Sequence, residues 1–299
     1  MNKYWMSGLG LMLFSGAVAA APLQVVSSFS ILGDVAQQIG GERVAVQSLV
    51  GANQDAHAYN LTSGDIKKIR EARLVLLNGL GLEKAELQRA VKQSKVASAE
   101  ATAGIKPLAA DEHHHEHGHD HDHDHGEFDP HVWNDPVLMQ RYAANVAIAL
   151  IKADPAGSRY YQQRFKDYQN VLNQLNNYAN QQFGAVAPAK RKVLTGHDSF
   201  AYLGKRYQVK FISPQGVSSE AEPSARQIAA IIRQIKAENV KAVFTENIKD
   251  GRMIARIAKE TGVKVSGGLY ADALSSGAPA GTYADMFRYN VRVMSEAMK

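Results

Sequence analysis

Eleven histidines and no cysteine set the chemistry open to this 299-residue sequence. Without thiols there are no disulfides, thiolate zinc sites, thiol nucleophiles or cysteine-borne lipid anchors, so a site must work through nitrogen and oxygen. Eight of the histidines form the run HHHEHGHDHDHDH: His113, His114, His115, His117, His119, His121, His123 and His125. The other three, His57, His131 and His197, stand alone, each beside a turn or after an expected strand. One isolated histidine is ordinarily a satisfied core hydrogen-bonding group. Three of them, in a chain that also carries a histidine-rich run, point to metal.

The run and the isolated residues call for different roles. Residues 111–127 contain no apolar side chain, cannot bury a core and are expected to form a mobile loop. Alternating His and Asp there offers many overlapping, weak secondary metal sites, or else a solvated insertion with no selected role. Three histidines on zinc would also describe a hydrolase with an open water position. The sequence has no H-E-x-x-H, no H-x-H-x-D-H and no G-x-S-x-G, and Ser199, next to Asp198 and His197, is too close in the chain to form a relay with them.

The elements that must position these residues follow an α/β rhythm. Leu23–Ser27, Val44–Val50 and Arg73–Leu77 read as buried strands, with Leu32, Val35 and Ile39 marking a helix between the first two. Val193–Thr195, Val209–Ile212, Val240–Thr245 and Val263–Ser266 read as strands of a second set, with Ile228, Ile231, Ile232 and Ile235 on a helix among them. This alternation predicts two α/β lobes, each a parallel sheet flanked by helices. Between them, Tyr161, Phe165, Tyr168, Leu172 and Leu175 recur at helical spacing across 155–183. That stripe predicts one long, rigid bridging helix of about 43 Å at ~1.5 Å per residue, its aromatics packed as core.

Composition supports a globular chain, with 45% hydrophobic and 21% charged residues. The formal charge of +5 does not make a nucleic-acid binder: basic residues are scattered, while 111–129 hold eight acids and no Lys or Arg. Lys3, the apolar stretch Met6–Phe14 and the small-x-small motif Ala17-Val18-Ala19 predict a signal peptide over 1–20. The expected organisation is therefore a signal at 1–20, a first lobe at 21–154 with the loop at 111–127, a connecting helix at 155–183 and a second lobe at 184–299. The expected compartment is the periplasm.

Asp55-Ala56-His57-Ala58-Tyr59, Asp129-Pro130-His131-Val132-Trp133 and Thr195-Gly196-His197-Asp198-Ser199-Phe200 lie in the order and spacing of three known histidine motifs. Together with the insertion before the second motif, the stretch Gly216–Ser224 and Leu269-Tyr270-Ala271-Asp272-Ala273-Leu274-Ser275, they cover nearly the whole mature chain. The sequence resembles the periplasmic zinc-binding, solute-binding proteins of high-affinity zinc-uptake ABC transporters, the ZnuA type of the cluster A-I metal-binding family.

That resemblance implies a clamshell with one metal in its cleft, held by His57 and His131 from the first lobe and His197 and Asp272 from the second. Manganese importers of the family place a carboxylate where this chain has His197, so the resemblance implies Zn²⁺, carried as cargo and not used for catalysis. Two departures stand out: Ala56 replaces the usual proline, and Asn60-Leu61 replaces a Glu-Pro. Asp55, Asp129 and Asp198 are expected to accept the second ring N–H of the neighbouring histidines. The implied partners are an inner-membrane ABC permease and a candidate periplasmic metallochaperone, with no nucleic acid and a monomeric chain. A zinc buffer or adhesin without a transporter is the alternative.

Overall fold

The computed structural model describes residues 21–110, 128–220 and 222–299. The expected signal segment and the histidine-rich run lie outside the described residues. Eight strands and nine α-helices are described: β1 Leu23–Phe29, α1 Ser30–Gly40, β2 Val44–Val50, α2 Ser63–Glu71, β3 Leu74–Leu77, α3 Ala85–Ser94, β4 Ser98–Glu100, α4 Leu138–Ala153 and α5 Ser158–Gly184, then β5 Lys192–Leu194, α6 Ala201–Tyr207, β6 Lys210–Ile212, α7 Ala225–Glu238, β7 Ala242–Glu246, α8 Arg252–Thr261, β8 Gly267–Leu269 and α9 Tyr283–Met298.

The strands form two four-stranded parallel sheets, β2-β1-β3-β4 and β6-β5-β7-β8. Both follow one topology, although the sequence carries no readable internal repeat. In each, the strand order reverses between the first and third strands, and the C-terminal edge beside that point is where open α/β sheets hold ligands. Gly33 lets α1 lie close on the first sheet, since a Cβ there would fall 2.2 Å from Ser48 Oγ.

Two strands depart from expectation. The apolar run at Val263–Ser266 is not β8; Val263 packs with the outer cluster of α7 and α8, and the strand is Gly267–Leu269, paired in register with Phe244, Thr245 and Glu246. Edge strand β4, Ser-Ala-Glu, has no apolar pattern and exists by pairing with β3.

The long helix begins at Ser158, because Pro155–Gly157 close a 3₁₀ turn whose Gly157 N–H donates to Asp154 Oδ1 at 3.3 Å. At 27 residues it spans about 40 Å. Tyr161, Tyr168, Leu172, Leu175, Ala179 and Phe183 are its buried stripe. It packs on α1 and α4 from the first lobe and on α6 and α9 from the second. One hydrophobic cluster therefore runs unbroken from Val25 to Met298, with smaller clusters on the outer face of each sheet. Polar ties cross between the lobes as well. Trp133 Nε1 donates to Ala271 O at 2.8 Å, Tyr283 OH to Trp133 O at 2.8 Å and Tyr202 OH to Asp129 O at 2.7 Å.

Candidate metal centre

His57 lies in the irregular stretch between β2 and α2. Asp55 shapes that stretch, its Oδ1 accepting the backbone N–H of His57 at 2.9 Å and of Ala58 at 3.3 Å. Such an Asx turn is what a short acid two residues before the turning residue favours. His131 opens a 3₁₀ turn after Pro130, and Asp129 Oδ1 takes both its backbone N–H, at 2.9 Å, and its ring Nδ1, at 2.7 Å. His197 follows β5, and Asp272 follows β8 between the buried Ala271 and Ala273.

The fold brings these four side chains, 66 to 215 residues apart in the chain, to one point. His57 is 7% exposed and the other three 0%. Asp272 Oδ2 lies 3.0 Å from His197 Nε2 and 3.4 Å from His57 Nε2; Asp272 Oδ1 lies 3.4 Å from His131 Nε2; and the Nε2 atoms of His57 and His131 are 3.1 Å apart. A tetrahedron with bonds of ~2.0–2.1 Å has edges of about 3.3 Å; these four contacts lie near that value in a set whose ligand atoms are all within 4.8 Å of one another, which is room for one small cation. His197 Nε2 and both oxygens of Asp272 are buried with no hydrogen-bond partner among the described residues, their 3.0 Å approach lacking hydrogen-bond geometry. Such atoms are costly to leave unpaired, and a cation would satisfy all three.

Electrostatics inside the cluster are strongly coupled. Burial opposes a charge on His131, but Asp272 and Asp129 outweigh it and hold the ring up at about 9. Burial likewise opposes a charge on His197, and Glu246 and Asp272 prevail, holding it well above the ordinary imidazole range. Burial alone would raise Asp272, yet the facing rings of His197 and His131 hold its carboxyl well below the usual range. His57 goes the other way, pushed down by burial.

The expected ring acceptors are corrected in part. Asp129 serves His131 as expected. Asp55 accepts from the backbone of the His57 turn, and the acceptor for His197 Nδ1 is Glu246 Oε2 at 2.6 Å in place of Asp198. Glu246 was not singled out from sequence; the available signal was a lone acid closing the buried apolar strand β7. Trp133, edge-on to His131 with ring centroids 5.1 Å apart, is a second neighbour without an assigned role in the sequence reading. His113 to His125 lie outside the described residues.

Residues 25–297 match the family model described as ZnuA, zinc-uptake complex component A periplasmic. The chain belongs to that family. It is accordingly the metal-binding, substrate-binding component of an ABC transporter, with a membrane permease as partner, and not an enzyme. Among curated ZnuA-family relatives it is similar to the manganese-binding lipoprotein MntA of Bacillus subtilis, 32% identical over 295 residues, covering 95% of this chain and 92% of that protein. It is also similar to the manganese ABC transporter substrate-binding lipoprotein PsaA of Streptococcus anginosus, 26% identical over 94% of this chain and 91% of that one. Among solved structures, the periplasmic zinc-binding protein TroA of Treponema pallidum superposes with a TM-score of 0.84 at 26% identity, covering 93% of this chain and 99% of that one. A manganese-bound periplasmic metal-binding protein of Candidatus Liberibacter asiaticus gives 0.78 at 28%, covering 93% and 100%.

Proposed function

We propose that this family member captures Zn²⁺ with His57, His131, His197 and Asp272 and delivers it to an inner-membrane ABC permease. The observation that carries the reading is the donor set: three imidazole nitrogens and one carboxylate, buried, with ligand atoms all within 4.8 Å of one another and with His197 Nε2 and both Asp272 oxygens lacking a hydrogen bond from the described residues. Nitrogen-rich sites bind zinc above manganese in the divalent order, and manganese favours oxygen shells of higher number. Four protein donors also fill a tetrahedral shell, leaving no position for a reactive water. The reading places the protein in the periplasm. Its curated relatives are named lipoproteins, whereas this sequence has no cysteine to carry a thioether-linked lipid.

Manganese is the second reading, favoured by the names of the relatives and by Asp272, both of whose oxygens face the cluster and could chelate a larger ion. Competition decides between them. Purified protein titrated with a chromophoric chelator should bind one Zn²⁺ tightly and keep it against a large excess of Mn²⁺; ready displacement by Mn²⁺ would overturn the zinc assignment. Zinc uptake lost on deleting the cognate permease, with the metal-loaded protein still present, would separate delivery from buffering.

A further inference from the structure

Three of the four candidate ligands are fixed from behind within their own surroundings. His131 leans on Asp129, His197 on Glu246, and the loop of Asp272 is tied by the Trp133 indole to Ala271. His57 is held differently. It stands in a stretch without regular structure; Asn53 ties the start of that stretch to Leu274 O and Asn247, and nearest the ring the anchor is the Asp55 carboxylate, working on two sides.

Asp55 Oδ1 accepts the backbone N–H of His57, while Asp55 Oδ2 accepts the hydroxyl of Ser219 at 2.5 Å, from 164 residues further along the chain. Ser219 is 0% exposed, and its carbonyl accepts from the ammonium of Lys249 and, at 3.3 Å, from the amide of Gln215. Lys249 Nζ stands 3.9 Å from Asp55 Oδ2. The second lobe thus grips His57 through Asp55. On its other side Val50, Ala56, Tyr59 and Leu61 pack with first-lobe apolar residues, Phe29 and Leu82 among them, around a small void of about 20 Å³. Elsewhere the two lobes share one apolar cluster, which resists separation.

We propose that Ser219 and Lys249 are positioning residues for metal retention: acting through Asp55 they latch His57 against the other three ligands, and the ion leaves when this latch opens and the His57 turn moves away from them, the lobes staying together. The inference rests on the zinc reading of the site. Losing a hydrogen bond to the partly buried Asp55 carboxylate should free the turn, so release should accelerate by about tenfold or more, while capture changes little because His131, His197 and Asp272 remain assembled. Lys84, just before α3, pairs with Glu220, next to Ser219, at 2.8 Å; this tie also joins the lobes but is more exposed and does not touch Asp55, so it should matter little.

The test is stopped-flow release of Zn²⁺ from the full chain into excess EDTA, with capture rates measured separately, for the wild type, Ser219→Ala, Ser219→Thr, Lys249→Met and Lys84→Met. Ser219→Ala and Lys249→Met should release about tenfold faster at nearly unchanged capture rates; Ser219→Thr, which keeps the hydroxyl, and Lys84→Met should stay within about twofold of wild type. Release from Ser219→Ala and Lys249→Met within about twofold of wild type, or Ser219→Thr releasing as fast as Ser219→Ala, would overturn the latch. Should circular dichroism show Ser219→Ala unfolded, Lys249→Met carries the decision. Mn²⁺ is run in parallel: a wild type that retains only Mn²⁺ sinks the zinc reading, and the manganese release rates then decide the latch by the same criteria.

Discussion

Glu246 holds His197 at two points. Its Oε2 lies 2.6 Å from the ring Nδ1, and its Oε1 accepts the backbone N–H of Gly196 at 2.8 Å and of His197 at 3.2 Å. Gly196 permits this approach, because a Cβ there would stand 3.2 Å from the carboxyl carbon. With Nδ1 donating to Glu246, Nε2 is the ring atom turned to Asp272 and the metal position, and its lone pair becomes the ligand once its proton is displaced; the Glu246 contact thereby fixes the orientation and raises the basicity of the ligand.

Glu246→Gln should therefore keep the fold and weaken zinc binding by about 10–100-fold. Glu246→Ala should do worse, since it strands the two backbone N–H groups and the ring N–H in a buried place, at a cost of ~1–3 kcal/mol for each group left unsatisfied. Chelator competition and thermal melts check both. Wild-type affinity in Glu246→Gln would mean that the carboxylate does not tune the site.

Metal and protons compete for the same nitrogen atoms. The raised His131 (about 9) and His197 and the lowered Asp272 favour protonated rings facing an ionised carboxylate in the metal-free protein, while burial favours neutral His57. Zinc binding should expel about two protons near pH 7.5, and affinity should go on rising with pH to about 9, beyond the window that an ordinary imidazole near ~6.5 would set. Stability of the metal-free form runs the other way. A raised histidine pKa stabilises the fold fully below the unfolded value of ~6.5 and loses that contribution as pH passes the folded value, so the apo melting temperature should fall between pH 7 and 10. Titration calorimetry in buffers of different ionisation enthalpy counts the protons, and a count near zero at pH 7.5 would contradict the coupling.

Loading should move the lobes little. Helix α5 packs on both lobes and the apolar cluster is continuous, so wide closure would have to break the core that Tyr168, Leu172 and Leu175 build with α1, α4 and α9. Small-angle scattering curves of apo and zinc-loaded protein, both lacking residues 111–127, should superimpose. A clear fall in radius of gyration on loading would show a hinge.

Deleting residues 111–127 should leave one tight zinc per chain and remove the weaker equivalents. The flanking Ala109 and Phe128 pair as an antiparallel bridge, so a short turn can close the gap. A ligand set that must be ordered around each ion binds less tightly than the assembled cluster. Weak equivalents that survive the deletion would have to bind elsewhere, and unchanged growth under chelation would deny the run a part in uptake.

The sequence by itself determined what depends on residue type and short spacing. The absence of cysteine confines ligands to nitrogen and oxygen, the isolated His57, His131 and His197 mark the candidate ligands, and the β-branched runs and the Tyr161–Leu175 stripe mark the alternating strands and the long helix. These signals are local because side-chain period and strand or helix propensity need only neighbours a few residues away. Only the tertiary structure decided which distant groups meet. Glu246 reaches His197 because β7 pairs beside β5, and Ser219 reaches Asp55 across the lobes. Strand β8 falls on Gly267–Leu269 and not on the more apolar run before it because its register is set by Phe244–Glu246. Sheet order, register and lobe packing fix these partners, and each depends on the folded chain as a whole, so no stretch of sequence states them on its own.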